Sequence, residues 1–119
     1  MRYYSCDSHV VEPPEVFSGL EARFGDRAPR IVNGYEGRPG EFVLLPGSPP
    51  IPVGRLGIAG NRLDDPATQE RISLGYAGLN PGVLDPHKRL DEQAVDGIAG
   101  EVMYPSINLF TFAIPDRDL

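Results

Sequence analysis

The sequence predicts an α/β fold organised around a strand, a helix and a second strand, and three observations carry that prediction. An aromatic and β-branched run opens the chain, a capped amphipathic helix lies near its end, and an apolar segment closing on Tyr104-Pro105 follows that helix at once. The opening run, residues 2–11, is aromatic and β-branched at its ends and stops at Pro13-Pro14, which reads as a strand. At a period of two, Ser5, Asp7, His9 and Val11 share one face and Tyr4, Cys6, Ser8 and Val10 the other.

Pro13 and Pro14 suit a first helical turn, and Val16, Phe17, Leu20 and Phe24 then recur at helical spacing up to Gly25. A short helix over 14–24 is expected. Arg30 to Asn33 and Glu41 to Leu45 read as short strands, joined through Gly34 to Gly40 as a hairpin. Pro46-Gly-Ser-Pro-Pro-Ile-Pro then breaks any regular element. Val53 to Gly82 is glycine-rich and without a dependable period, so it reads as irregular apart from one helical turn around Ala67 to Leu74. A stretch this long inside a compact domain suggests either a functional cover or regular elements that the pattern does not reveal.

Asp85-Pro86 supplies an N-cap and a first-turn proline, and Leu90, Ala94, Val95 and Ile98 form a stripe that ends among Gly97 and Gly100. These signals predict a helix over 86–96. Glu101 to Pro105 is then a short strand, completing half of a βαβ unit. Asp116-Arg117-Asp118-Leu119 has the character of a cap for a further helix.

At 119 residues the chain has the length of one domain. Leu, Ile, Val and Phe make up more than a quarter of it, enough to build a core, while 14 Gly and 13 Pro imply abundant loop. Net charge is −6, and no segment concentrates Lys or Arg as a phosphate-binding surface does, which argues against nucleic acid. The longest apolar run, Phe42 to Leu45, is far short of the roughly 20 residues that cross a bilayer, so neither a membrane nor a signal sequence is expected and the cytoplasm is the expected compartment. Cys6 is the single cysteine and can form no internal disulfide. Patterns GxGxxG, GxxxxGK[ST] and GxSxG are absent.

Chemistry concentrates on the first strand. Asp7 and His9 leave one face two residues apart, so a carboxylate oxygen and an imidazole nitrogen can converge on one divalent ion. That mixed donor set favours Zn²⁺, with Mn²⁺ or Fe²⁺ as alternatives, over Mg²⁺ or Ca²⁺. Two ligands fall short of the roughly three that a catalytic zinc takes from protein, and a plain hydrogen-bonded pair fits the same spacing. Glu12, where the strand ends, suits either a proton carrier beside such a site or an ordinary acidic residue before a helix. His87 sits beside Lys88 and Arg89 in a first helical turn, a solvated place, and is not expected to bind metal. Tyr76, Tyr104, Asn108, Phe110 and Phe112 could line a pocket near the end of the second strand or simply pack. A thiol enzyme using Cys6 is a further alternative, although Cys6 falls on the face opposite His9.

Tyr4 to Pro14, Asp85 to Leu90 and Asp96 to Ser106 together resemble the N-terminal part of the amidohydrolase-related family. These are metal-dependent TIM-barrel hydrolases whose branch includes aminocarboxymuconate semialdehyde decarboxylase and the resorcylate-type decarboxylases. The resemblance implies that residues 2–11 are the first strand of a (β/α)₈ barrel with Asp7 and His9 as metal ligands. Residues 12–84 become a helix with a long hairpin-containing insertion, 85–105 the first barrel helix and second strand, and 106–119 a loop leading to the next helix. It further implies hydrolysis or non-oxidative decarboxylation of a small carboxylate, amide or ester. A complete barrel needs about 200–400 residues, so the expectation is one partial domain, a fragment or truncated product whose remaining ligands and acid/base residue lie elsewhere. Two parallel strands alone leave edges and apolar surface open, which predicts self-association or a complementing chain. A small interaction module without catalysis is the competing expectation.

Overall fold

The structure, a computed structural model, describes residues 2–119. Five strands and three α-helices alternate with short 3-10 turns: β1 Tyr3–Val10, α1 Leu20–Phe24, β2 Arg30–Tyr35, β3 Arg38–Leu44, β4 Ile51–Pro52, α2 Pro66–Ser73, α3 Pro86–Asp96 and β5 Ile98–Pro105. The result is a mixed α/β fold with two separate sheets. β1 and β5 pair in parallel, and β2, β3 and β4 form an antiparallel sheet in that order. The strand–helix–strand unit of the sequence is therefore present, with α3 entering directly into β5.

Local chemistry accounts for the best-defined elements. Asp85 accepts the backbone N–H groups of His87 (2.8 Å) and Lys88 (3.2 Å), Pro86 opens the helix, and Gly97 closes it at φ 71°. Helix 86–96 therefore has the predicted bounds. The hairpin also forms, but with longer arms than expected. Its turn is the two residues Glu36 and Gly37, both at positive φ, which is the backbone twist that joins tightly paired antiparallel strands.

Other expectations are corrected. The helix over 14–24 is two pieces, a 3-10 turn at Pro14–Phe17 and α1, because Gly19 at φ 80° lies in a conformation no helix can pass through. Residues 53–82 are more ordered than their glycine content suggested, with α2 capped by Asp65 and 3-10 turns at Val53–Arg55, Gly75–Gly78 and Pro81–Val83. Leu90 and Val95 of the predicted stripe face outward, 61% and 87% exposed. The tail forms a 3-10 segment at Asn108–Ala113, and Asp116 Oδ1 accepts the Asp118 N–H at 3.1 Å, the bond a helix cap makes.

The core consists of Val11, Phe17, Val43, Leu45, Ile51, Val53, Leu79 and Ile107. Five of these eight lie between Val43 and Leu79, in the region whose sequence carries the least motif character. Val11 and Ile107, immediately beyond the ends of β1 and β5, attach the parallel pair to this core at its C-terminal end. Elsewhere the pair is open, with Tyr3, Tyr4, Val102, Met103 and Tyr104 each more than 40% exposed. The radius of gyration, 15.7 Å, exceeds the about 13.5 Å of a globule of this length.

Candidate metal site at the end of the first strand

Strand β1 does not alternate regularly. Ser5 is opposite Glu101 and Ser8 opposite Met103, so three steps on β1 face two on β5 and one residue is extra. This bulge turns Ser5 and Ser8 to the same side, where the Ser8 hydroxyl donates to Ser5 Oγ at 2.7 Å. Asp7 lies inside the irregular stretch and His9 just beyond it, yet their side chains still converge.

His9 Nε2 lies 3.4 Å from Asp7 Oδ1. Its other ring nitrogen, Nδ1, is 3.2 Å from the carbonyl oxygen of Pro105 at the end of β5. A carbonyl can only accept, so Nδ1 carries a proton, and Nε2 faces the carboxylate oxygen either as a second N–H donor or as a lone pair. Two acceptors held face to face repel unless a cation, a proton or a metal ion, lies between them. Two ligands at about 2.1 Å on tetrahedral zinc are themselves about 3.4 Å apart, so the observed separation fits two neighbouring corners of such a site. The Pro105 contact is the kind of outer hydrogen bond that fixes a ligating histidine. Asp7 is 85% and His9 40% exposed at the side chain, leaving the remaining corners open to solvent. Among the described residues, no group of three or more His, Cys, Asp and Glu side chains comes together to hold an ion.

The position of His9 depends on an arginine that the sequence placed in solvent. Arg89 on α3 is only 17% exposed at its side chain. Its Nη2 donates to Glu101 Oε2 at 2.8 Å, its Nε to Glu101 Oε1, and its Nη1 to the His9 carbonyl at 3.0 Å. One guanidinium therefore joins α3, β5 and the C-terminal end of β1. The Gln93 amide also donates to Glu101, and this carboxylate, 8% exposed, is held down at a pKa of about 2, chiefly by Arg89. The signal available in the sequence was Glu101 itself, a charge inside a short apolar strand, which requires a buried partner. A cavity of about 430 Å³ opens beside this network, lined by Ser5, Ser8, His9, Arg89, Gln93 and Glu101 among others.

Glu12 has a structural occupation. It is 7% exposed, and its two carboxylate oxygens accept the backbone N–H groups of Ile107 and Asn108, both at 2.8 Å. It thus caps the 3-10 segment at 108–113, some 96 residues along the chain. Its carbonyl accepts from the Tyr76 hydroxyl at 2.9 Å. Burial, then the nearby Glu41, Glu12 and Glu15 carboxylates, pushes that phenol up to about 12. His87 is exposed at the start of α3. The aromatics expected around a single pocket do not assemble into one. Tyr104 stacks obliquely at 6.1 Å from His9, Phe112 is 88% exposed, and Tyr76 packs against the core. Cys6 is a free, exposed thiol.

No helix among the described residues is long and apolar enough to cross a membrane. The sequence matches no protein-family model and no curated protein.

Proposed function

We propose that this chain supplies the first strands and two metal ligands of a metal-dependent enzyme of amidohydrolase type, acting in hydrolysis or non-oxidative decarboxylation. The observation that carries the reading is the 3.4 Å approach of Asp7 Oδ1 to a His9 Nε2 whose ring is fixed by Pro105. The sequence resemblance and the parallel β1–β5 pair joined through α3 support it, since the C-terminal ends of parallel strands are where TIM-barrel sites lie. In this reading β1 and β5 are the first two barrel strands and the antiparallel sheet belongs to an insertion. Zn²⁺ suits the donors best, with Mn²⁺ or Fe²⁺ next. Such an ion, when bound, polarises a carbonyl or carboxylate group and lowers the pKa of water.

The chain's own residues have distinct tasks. Asp7 and His9 donate the lone pairs, Pro105 keeps His9 in the tautomer that leaves Nε2 free, and Arg89 fixes the backbone carrying His9. Further ligands and the acid/base group come from another segment or chain. Elemental analysis of the purified chain, loaded with zinc, manganese or iron, desalted and run at its native mass, tests this. More metal retained by the parent than by Asp7→Ala or His9→Ala is the expected result, reaching stoichiometry where self-association supplies the remaining ligands. Equal metal content in variants and parent refutes it. Both side chains are exposed, so unchanged urea midpoints serve as the folding control.

One observation favours association as a second function. The two-stranded parallel sheet leaves Tyr3, Tyr4, Val102 and Met103 each more than half exposed, an arrangement parallel strands rarely tolerate alone. Sedimentation over a hundredfold concentration range separates a self-associating chain from a monomer.

A further inference from the structure

The antiparallel sheet carries a second concavity that the metal reading leaves unused. A cleft of about 270 Å³ lies between β3, the turn at Val53–Arg55 and α2. Buried Phe42 and half-buried Ile72 give it apolar lining, Arg38 and Arg55 give it positive charge, and Gln69 and Ser73 add polar groups. In a chain with 17 acidic and 11 basic residues, two arginines share one cleft and neither has a carboxylate within 4 Å among the described residues. The Arg38 guanidinium lies 4.9 Å from the centre of the Phe42 ring and 5.7 Å from that of Tyr35, contacts that occupy its face and leave its N–H edge for an anion. Glu41 also borders the cleft and keeps its negative charge, its Oε2 accepting the Tyr76 N–H at 2.8 Å, so the lining carries a net charge of +1.

The walls are backbone in contact with backbone. A Cβ on Gly54 would sit 2.0 Å from the Ile72 carbonyl oxygen, so only glycine lets the turn meet the end of α2. A Cβ on Gly40 would be 3.3 Å from the carbonyl oxygens of both Ile72 and Ser73. A cleft fixed in this way requires little ordering when something enters it.

We propose that this cleft is a binding site for a small organic carboxylate with an apolar body, the two arginines receiving the carboxylate and Phe42 with Ile72 receiving the body. At about 30 Å³ per water-sized group the space holds about nine heavy atoms, the size of cyclohexanecarboxylate. The site is independent of the metal reading and shares no residue with it.

Titration of the full chain with cyclohexanecarboxylate by calorimetry tests the proposal, with cyclohexanecarboxamide and inorganic phosphate as comparison ligands. Saturable binding of the carboxylate is expected, at least tenfold tighter than the amide or phosphate, and at least tenfold weaker in Arg38→Gln and in Arg55→Gln. Amide shifts in the NMR spectrum of the parent protein should centre on Gln69, Ile72 and Ser73, a readout that does not depend on any variant folding. Absence of saturation overturns the site. Equal binding of the amide or of phosphate, unchanged affinity in both variants, or shifts centred elsewhere does the same.

Discussion

Replacing Glu101 by glutamine removes the charge that holds Arg89, and its cost follows from the structure. Glu101 is lowered from 4.5 to about 2, a difference of about 2.5 units, or about 3 kcal/mol at 1.36 kcal/mol each. Both side chains are largely covered, at 8% and 17% exposure, but the pair lies close to the protein surface, so solvent screening makes about 3 kcal/mol an upper bound. Arg89 keeps carbonyl acceptors at His9 and Gly82 in the variant, which keeps the loss within that bound. The folded-state pKa is depressed, so the stabilisation is complete above the unfolded value near 4.5 and is lost as pH falls towards 2. Urea denaturation followed by circular dichroism at pH 7, 5, 3 and 2 should show Glu101→Gln less stable at neutral pH by between about 1 and 3 kcal/mol, with the gap closing at the acid end. In a melt at pH 7 the difference corresponds to at most about 10 °C. A gap below about 1 kcal/mol at pH 7, or one of equal size at pH 7 and pH 2, refutes the reasoning.

Glu12→Ala should leave the N–H groups of Ile107 and Asn108 without acceptors and cost about 3 kcal/mol in urea unfolding, with Glu12→Gln intermediate because one oxygen remains. Tyr76→Phe loses the bond to the Glu12 carbonyl and should cost about 1 kcal/mol near pH 7. Folding keeps the Tyr76 phenol protonated, so the parent should lose stability as pH rises from about 10 towards 12, and this part of the alkaline loss should vanish in the variant. Gly54→Ala places a methyl group 2.0 Å from the Ile72 carbonyl oxygen, and the resulting backbone displacement should cost at least about 3 kcal/mol by thermal melt. Arg71→Ala strands the carbonyl of Gly78 and the side chains of Asn61 and Asn80, all within 3.1 Å of its guanidinium, with an expected loss of about 2–3 kcal/mol.

Elements with local causes were legible in the sequence. Helix 86–96 carries its own cap, first-turn proline and terminal glycine, and the hairpin its glycine turn, so both form as read. The Asp7–His9 pair was legible because a spacing of two survives on any extended segment. What escaped the sequence was non-local. The bulge in β1 depends on registry with a strand about ninety residues away, and it brings the Ser5 and Ser8 hydroxyls together. Arg89 looked solvated beside Lys88, and only the return of β5 supplies the Glu101 carboxylate that buries it. Glu12 is occupied by amides from the far end of the chain, which no window around residue 12 contains. The stripe of α3 failed for the reverse reason, since nothing among the described residues packs over Leu90 and Val95.

The location of the core has a consequence for how the chain could change. Packing density resides in the antiparallel sheet and its flanking turns, whereas Asp7, His9 and the open strand faces sit on a lobe joined to it through Val11, Ile107 and the Glu12 carboxylate. Apart from the Arg89–Glu101 pair, substitutions of exposed side chains on that lobe fall outside the hydrophobic interior, so its surface can vary in side-chain identity with little penalty to folding. Amide protons should report the same division, persisting for longest in β3 around Val43 and exchanging early at Tyr3 and Tyr4. The segment with the fewest recognisable letters is the one that keeps the rest in place.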